Sequence, residues 1–140
     1  MRAGRLWLTF GSAALHAGLG GAALVLRSES DTSKAADLAI VLPVGWAFVA
    51  AGIVAWSREP ANRVGKLMVA VGMTWFLLAL TTANTPFVFS LGLALSVTAY
   101  AVLAHLFLAY PAGRLPSRLA VGAAVLGYLD VLVFLSLIHI

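Results

Sequence analysis

Residues 66–114 read KLMVAVGMTWFLLALTTANTPFVFSLGLALSVTAYAVLAHLFLAYPAGR, and between Lys66 and Arg114 there is no charged side chain. A membrane-crossing helix needs about 20 mostly apolar residues, because the hydrocarbon core is ~30 Å thick and a helix rises 1.5 Å per residue. The stretch is too long for one crossing and fits two joined by a turn, with the turn at "NTP" and Pro86 placed to begin the second helix.

The rest of the chain repeats this pattern. Hydrophobic residues make up 62% of the 140 residues and charged ones 10%, against roughly 45–50% and ~25% in soluble domains. So few polar groups cannot cover the surface of a small soluble domain, and lipid is the solvent that suits the surplus. Apart from Asp130, every Asp, Glu, Lys and Arg falls in four short patches, Arg2–Arg5, Arg27–Asp37, Arg58–Lys66 and Arg114–Arg118. Between and beyond these patches lie apolar runs at about 6–26, 38–56, 67–83, 87–110 and 119–134 onward. The runs are apolar on all sides and lack the two-residue alternation of a membrane β-barrel strand. A helix keeps all its backbone hydrogen bonds within one segment, as lipid requires. The expectation is an all-α, polytopic bundle of five transmembrane helices in one membrane domain.

Orientation follows the asymmetry of Lys and Arg in short loops. The N-terminus, the second loop and the fourth loop hold seven of the nine Lys and Arg residues, and the first loop holds Arg27 and Lys34. A cytoplasmic N-terminus in a bacterial cytoplasmic membrane is therefore expected. Trp7, Trp56 and Tyr110 then all fall at the cytoplasmic interface, where an aromatic belt belongs. A secretory signal peptide is the rival reading of the first run. Its apolar part exceeds the usual 7–15 residues, and no clear A-x-A cleavage site follows.

The basic residues form no stripe or helix face for a phosphate backbone, so no nucleic-acid partner is expected. The chain has no cysteine, which excludes disulfides and thiolate chemistry. No phosphate-binding glycine loop, G-x-S-x-G, H-E-x-x-H or acid pair occurs. Three histidines without a second carboxylate in the runs make no metal site.

Asp130 is the one charged residue inside a run, at a depth of roughly 18 Å by helical rise, and His16 reaches roughly 16 Å. Intramembrane carboxylates cost ~2.5–3.5 kcal/mol on insertion scales and face other helices. Asp130 and His16 are therefore candidates for a proton- or ligand-sensitive pair. The alternative is a carboxyl bonded to Ser, Thr or backbone as packing glue. His105, roughly 9 Å deep, is a poor depth match for Asp130 and a candidate to bond a neighbouring helix. Small residues recur every fourth position at Ala13, Ala17, Gly21 and at Ala47, Ala51, Ala55, a pattern that lets helices approach. Internal packing is the expected use.

Two stretches carry a resemblance. "DLAIVLPVGWAFVAAGIVAWSREPANRVGKLMVAVGMTWFL" (37–77) and "HLFLAYPAGRLPSRLAVGAAVLGYLDVLV" (105–133) resemble the N-terminal membrane region of actinobacterial-type sensor histidine kinases. The family-like elements are Asp37–Trp46, Arg58–Gly65, Trp75–Leu77 and His105–Leu115, with the loop motif at Pro111, Gly113 and Arg114. Ala112 departs from the Asp or Ser common there. The resemblance implies a sensory or anchoring module that signals by helix repacking to a cytoplasmic kinase. It also implies a homodimer formed through that kinase, a response regulator as partner, and ATP and Mg used only by the kinase. This chain has no kinase residues and no cofactor of its own. The alternatives are a small multi-pass transporter or channel subunit, and a passive anchor.

The last six residues, "LSLIHI" (135–140), raise a separate expectation. Half of the isoleucines, at 40, 53, 138 and 140, stand in the last three positions. The hexapeptide is also what CTG-TCT-CTT-ATA-CAC-ATC encodes, a sequence that resembles a transposase adapter. Read-through into such an adapter is expected, with the native frame continuing past Phe134 and at least one further crossing.

Overall fold

A computed structural model describes residues 3–29 and 34–137, with side chains at all of these except 35–37 and 134–137. The described residues form five helices and no strand. They are α1 (Ala3–Arg27), α2 (Lys34–Arg58), α3 (Val64–Thr82), α4 (Pro86–Ala109) and α5 (Arg118–Leu137). Four segments are long and apolar enough to cross a membrane: α1, Leu38–Arg58 of α2, α3 and α4. Arg2 and residues 138–140, the second half of the hexapeptide given the adapter reading, lie outside the described residues.

The helices begin and end where their capping chemistry dictates. Pro86 opens α4 at a position where its missing N–H costs nothing. The Ser117 hydroxyl accepts the Ala120 N–H at 3.1 Å and caps α5. α4 stops at Ala109, whose carbonyl accepts the Gly113 N–H at 2.8 Å. Gly113 sits at φ +69°, and the Tyr110–Pro111 peptide is cis. Pro43 lies inside α2, where it leaves the Ala39 carbonyl without its helical donor. Early in α1, the Trp7–Gly11 turn is π-helical. The Thr9 hydroxyl there donates to the Arg5 carbonyl at 2.8 Å, and that of Ser12 to the Leu8 carbonyl.

α3 departs from a uniform helix. It is α-helical over Val64–Trp75 and tightens to a 3₁₀ helix over Phe76–Thr82. The 3₁₀ form rises about 2.0 Å per residue against 1.5 Å, so α3 reaches about 32 Å, long enough for a ~30 Å hydrocarbon core that it would fall just short of as a plain α-helix. The Thr81 and Thr82 hydroxyls donate to the Leu78 and Ala79 carbonyls within this segment (2.7 and 2.8 Å). Gly92 of α4 packs directly on its Leu80–Thr81 backbone.

α3 is the central helix, packed between α2 and α4. α1 covers α2 and the 3₁₀ end of α3, while α5 packs chiefly on α4. Leu6, Ala14, Val49, Ile53, Val69 and Phe76 form the α1–α2–α3 core. Val71, Val102 and Leu106 form the α3–α4 core. The outer faces are as apolar as the inner ones: Leu8, Phe87, Phe107 and Leu119 are more than 70% exposed. In water such a surface is a severe liability, whereas in lipid it costs nothing.

The seam between α2 and α3 corrects the small-residue expectation. Ala47 and Ala51 face outward and Ala55 is half-buried. The buried row of α2 is instead Gly45, Val49, Gly52 and Ile53. A Cβ on Gly52 would meet the Gly65 carbonyl at 2.8 Å, and one on Gly72 the Gly45 carbonyl at 2.6 Å. Two facing glycine pairs thus set an antiparallel contact close enough for backbone to touch backbone. On α1 the buried row is Ala14, Gly18, Gly21 and Val25. Gly18 makes room for the Trp46 ring, whose Nε1–H donates to the Ala14 carbonyl at 3.0 Å.

Candidate functional site

The start of α1, the end of α2, the start of α3, the end of α4 and the start of α5 meet at one end of the bundle. Phe10 and Trp56 hold the first two together with ring centroids 5.4 Å apart. Trp56 is also capped by the Lys66 ammonium at 5.5 Å from its ring. Trp7 and Tyr110 are exposed at this same end.

The two connectors here are joined by one side chain. Asn62, in the α2–α3 connector, donates through Nδ2 to the Pro111 carbonyl at 3.2 Å. Its Oδ1 accepts the Val64 N–H at 2.9 Å, an Asx turn that leads into α3. Gly113 presses against Asn62 and the Arg63 backbone, leaving no room for a Cβ. Pro111 and Gly113 are therefore packed on the Arg58–Gly65 connector, with Arg114 lining the clefts beside the contact.

Arg63, Lys66 and Arg114 surround a cleft of about 510 Å³ beside this contact, with His105 deeper in its wall. No carboxylate lines it. Glu59 lines an adjoining cleft that shares Arg114. Among the described residues, no ion pair neutralises the three cations. His105 is half-buried, and its Nδ1 lies 3.0 Å from the Tyr128 hydroxyl of α5, with the rings edge-on at 5.8 Å.

The opposite end has a matching device. Asn84, between α3 and α4, accepts the Glu29 N–H and donates to the Arg27 carbonyl, each at 3.0 Å. Lys34 Nζ donates to the Leu26 carbonyl at 3.3 Å.

His16 and Asp130 are not brought together. His16 is exposed and its Nδ1 is bonded to the Ser12 carbonyl of its own helix at 2.7 Å. Asp130 is exposed on α5, and no hydrogen bond or ion pair joins it to His16 among the described residues. No group of three or more potential metal ligands stands together among those residues.

Asn62, Asn84 and Tyr128 do not stand out as functional in the sequence. Asn62 had a usable signal: an Asn two residues before an apolar run, after Pro60, is a helix-capping position. Its bond to Pro111 has none, because it crosses 49 positions of chain.

No protein-family model, curated protein or solved structure matches this chain.

Proposed function

We propose that this chain is the membrane sensory or anchoring module of a two-component sensor histidine kinase, with its N-terminus in the cytosol and five crossings. The observation that carries the reading is the Asn62–Pro111 bond. It couples the two connectors whose motifs resemble that family, at the end of the bundle with the higher density of Lys and Arg. A coupled pair of connectors beside the cytosol is a device for passing a change in helix packing to a kinase domain. In this mechanism a stimulus favours one of two packings, and its differential affinity for them sets how far the equilibrium moves. ATP, Mg, the response regulator and the kinase-mediated homodimer belong to the part of the system outside this chain. Its connectors are short, so the stimulus acts within the membrane.

Sequencing the locus with long reads tests the proposal. A cytoplasmic histidine-kinase domain in the same frame supports it, and a stop codon directly after Ile140 overturns it. Reporter fusions within Arg58–Lys66 test the orientation: cytoplasmic signal is expected, and periplasmic signal would invert the topology.

A further inference from the structure

We propose that the cleft between Arg63, Lys66 and Arg114 is a binding site for the phosphate headgroup of an anionic phospholipid. The inference rests on the membrane reading of the chain but not on the kinase reading. Arg63 and Arg114 come from different connectors and are held in one place by the Asn62–Pro111 bond and the close seat of Gly113. Neither guanidinium has a protein acceptor among the described residues, and no carboxylate lines the cleft. Two guanidinium forks and an ammonium around one opening suit the several oxygens of a phosphodiester. Arg63, Lys66 and Leu67 place the cleft beside the first turn of α3, whose dipole has its positive end there.

The walls argue for lipid over a free anion. Besides the cations the cleft is lined by Leu67, Leu115 and Val121, which suit the glycerol and upper acyl carbons. His105 stands four residues before the end of α4, about 6 Å deeper along the axis. In the tautomer in which Nδ1 accepts from the Tyr128 hydroxyl, 3.0 Å away, the ring N–H is on Nε2 and can donate to an ester oxygen. Trp56 under the Lys66 ammonium and the exposed Tyr110 set this level as the headgroup region. Basic pockets between membrane helices hold anionic headgroups by this combination of charge and depth.

The test uses the full chain purified in a neutral maltoside detergent, with bound lipid counted by native mass spectrometry. Dioleoyl phosphatidylglycerol is offered against dioleoyl phosphatidylcholine, and inorganic phosphate is added in a separate arm. Each basic contact near a membrane surface is worth about fivefold in affinity, so the Arg63→Gln/Arg114→Gln double variant should lose about 25-fold for phosphatidylglycerol. It should keep its weak uptake of phosphatidylcholine. Arg63→Lys/Arg114→Lys should recover most of the loss, and Arg27→Gln/Lys34→Gln, at the far end, should change nothing. Unchanged helical circular dichroism in each variant shows that binding, and not folding, is read. Equal uptake of both lipids by the wild type, or an equal loss in the far-end variant, overturns the site. Displacement of the lipid by millimolar inorganic phosphate overturns the lipid assignment in favour of a free-phosphate site. A chain that stays in solution without detergent sinks the membrane reading itself, and this site with it.

Discussion

Gly52 of α2 and Gly65 of α3 face each other so closely that a Cβ on either would lie within 3 Å of the other's carbonyl oxygen. The missing side chains are what allow the two backbones to meet, and in lipid such close packing replaces the hydrophobic drive that water supplies. A methyl group at Gly65 has only backbone to push against, and one at Gly52 meets backbone and the Met68 Cβ. Gly52→Ala and Gly65→Ala should each destabilise the bundle by about 1–3 kcal/mol. Ala51→Val, one position away but facing outward, should stay within about 0.5 kcal/mol. Thermal unfolding in detergent, followed by circular dichroism, reads the difference. Equal effects at positions 51 and 52 would show that α2 is rotated from the face described.

The two connector asparagines should be separable. Asn62→Ala removes the bonds to the Val64 N–H and the Pro111 carbonyl, and Asn84→Ala removes both bonds to the 27–29 segment. Each should cost about 0.5–1.5 kcal/mol per hydrogen bond lost. Amide hydrogen exchange localises the effect: Val64 should lose protection only in the first variant and Glu29 only in the second. Loss at both ends in either variant would mean that the bundle opens as a unit.

Gly113 and Asn62 should behave as a coupled pair. Gly113→Ala introduces strain at a left-handed φ and a clash with the Asn62 side chain. Trimming Asn62 to Ala relieves the part of the clash that falls on its side chain and leaves the strain and the contact with the Arg63 backbone. The double variant should therefore be more stable than the sum of the single effects predicts, by about 0.5–3 kcal/mol. Strict additivity in a double-mutant cycle would separate the two connectors energetically.

Asp130 should matter for insertion more than for the packing of the bundle. Its side chain is exposed and touches no polar partner among the described residues. Asp130→Asn should leave thermal stability in detergent within about 0.5 kcal/mol. Asp130→Leu should raise the fraction of chains with α5 inserted, since the carboxylate costs ~2.5–3.5 kcal/mol at mid-membrane. A glycosylation-site insertion assay reads that fraction, and an unchanged value would place Asp130 near an interface. In a kinase-linked protein, signalling that survives Asp130→Asn identifies a passive anchor.

The five helices were legible in the chain because the cost of burying charge in lipid is large and local. The empty interval from Lys66 to Arg114 settles two spans without reference to any other residue, and Pro86, Pro111 and Gly113 mark their ends. The face that each helix turns inward was not legible, for the same reason. Lipid and core are both apolar, so a run such as Phe87–Tyr110 carries no amphipathic period to orient it, and rows of alanine are as suited to one side as to the other. Tertiary contact decided the rest: which backbones touch at Gly52 and Gly65, the tightening of α3 into a 3₁₀ turn, the separation of His16 from Asp130, and the union of Asn62 with Pro111. Each depends on positions far apart in the chain, where steric fit and the pairing of polar groups act on neighbours that only the folded bundle supplies.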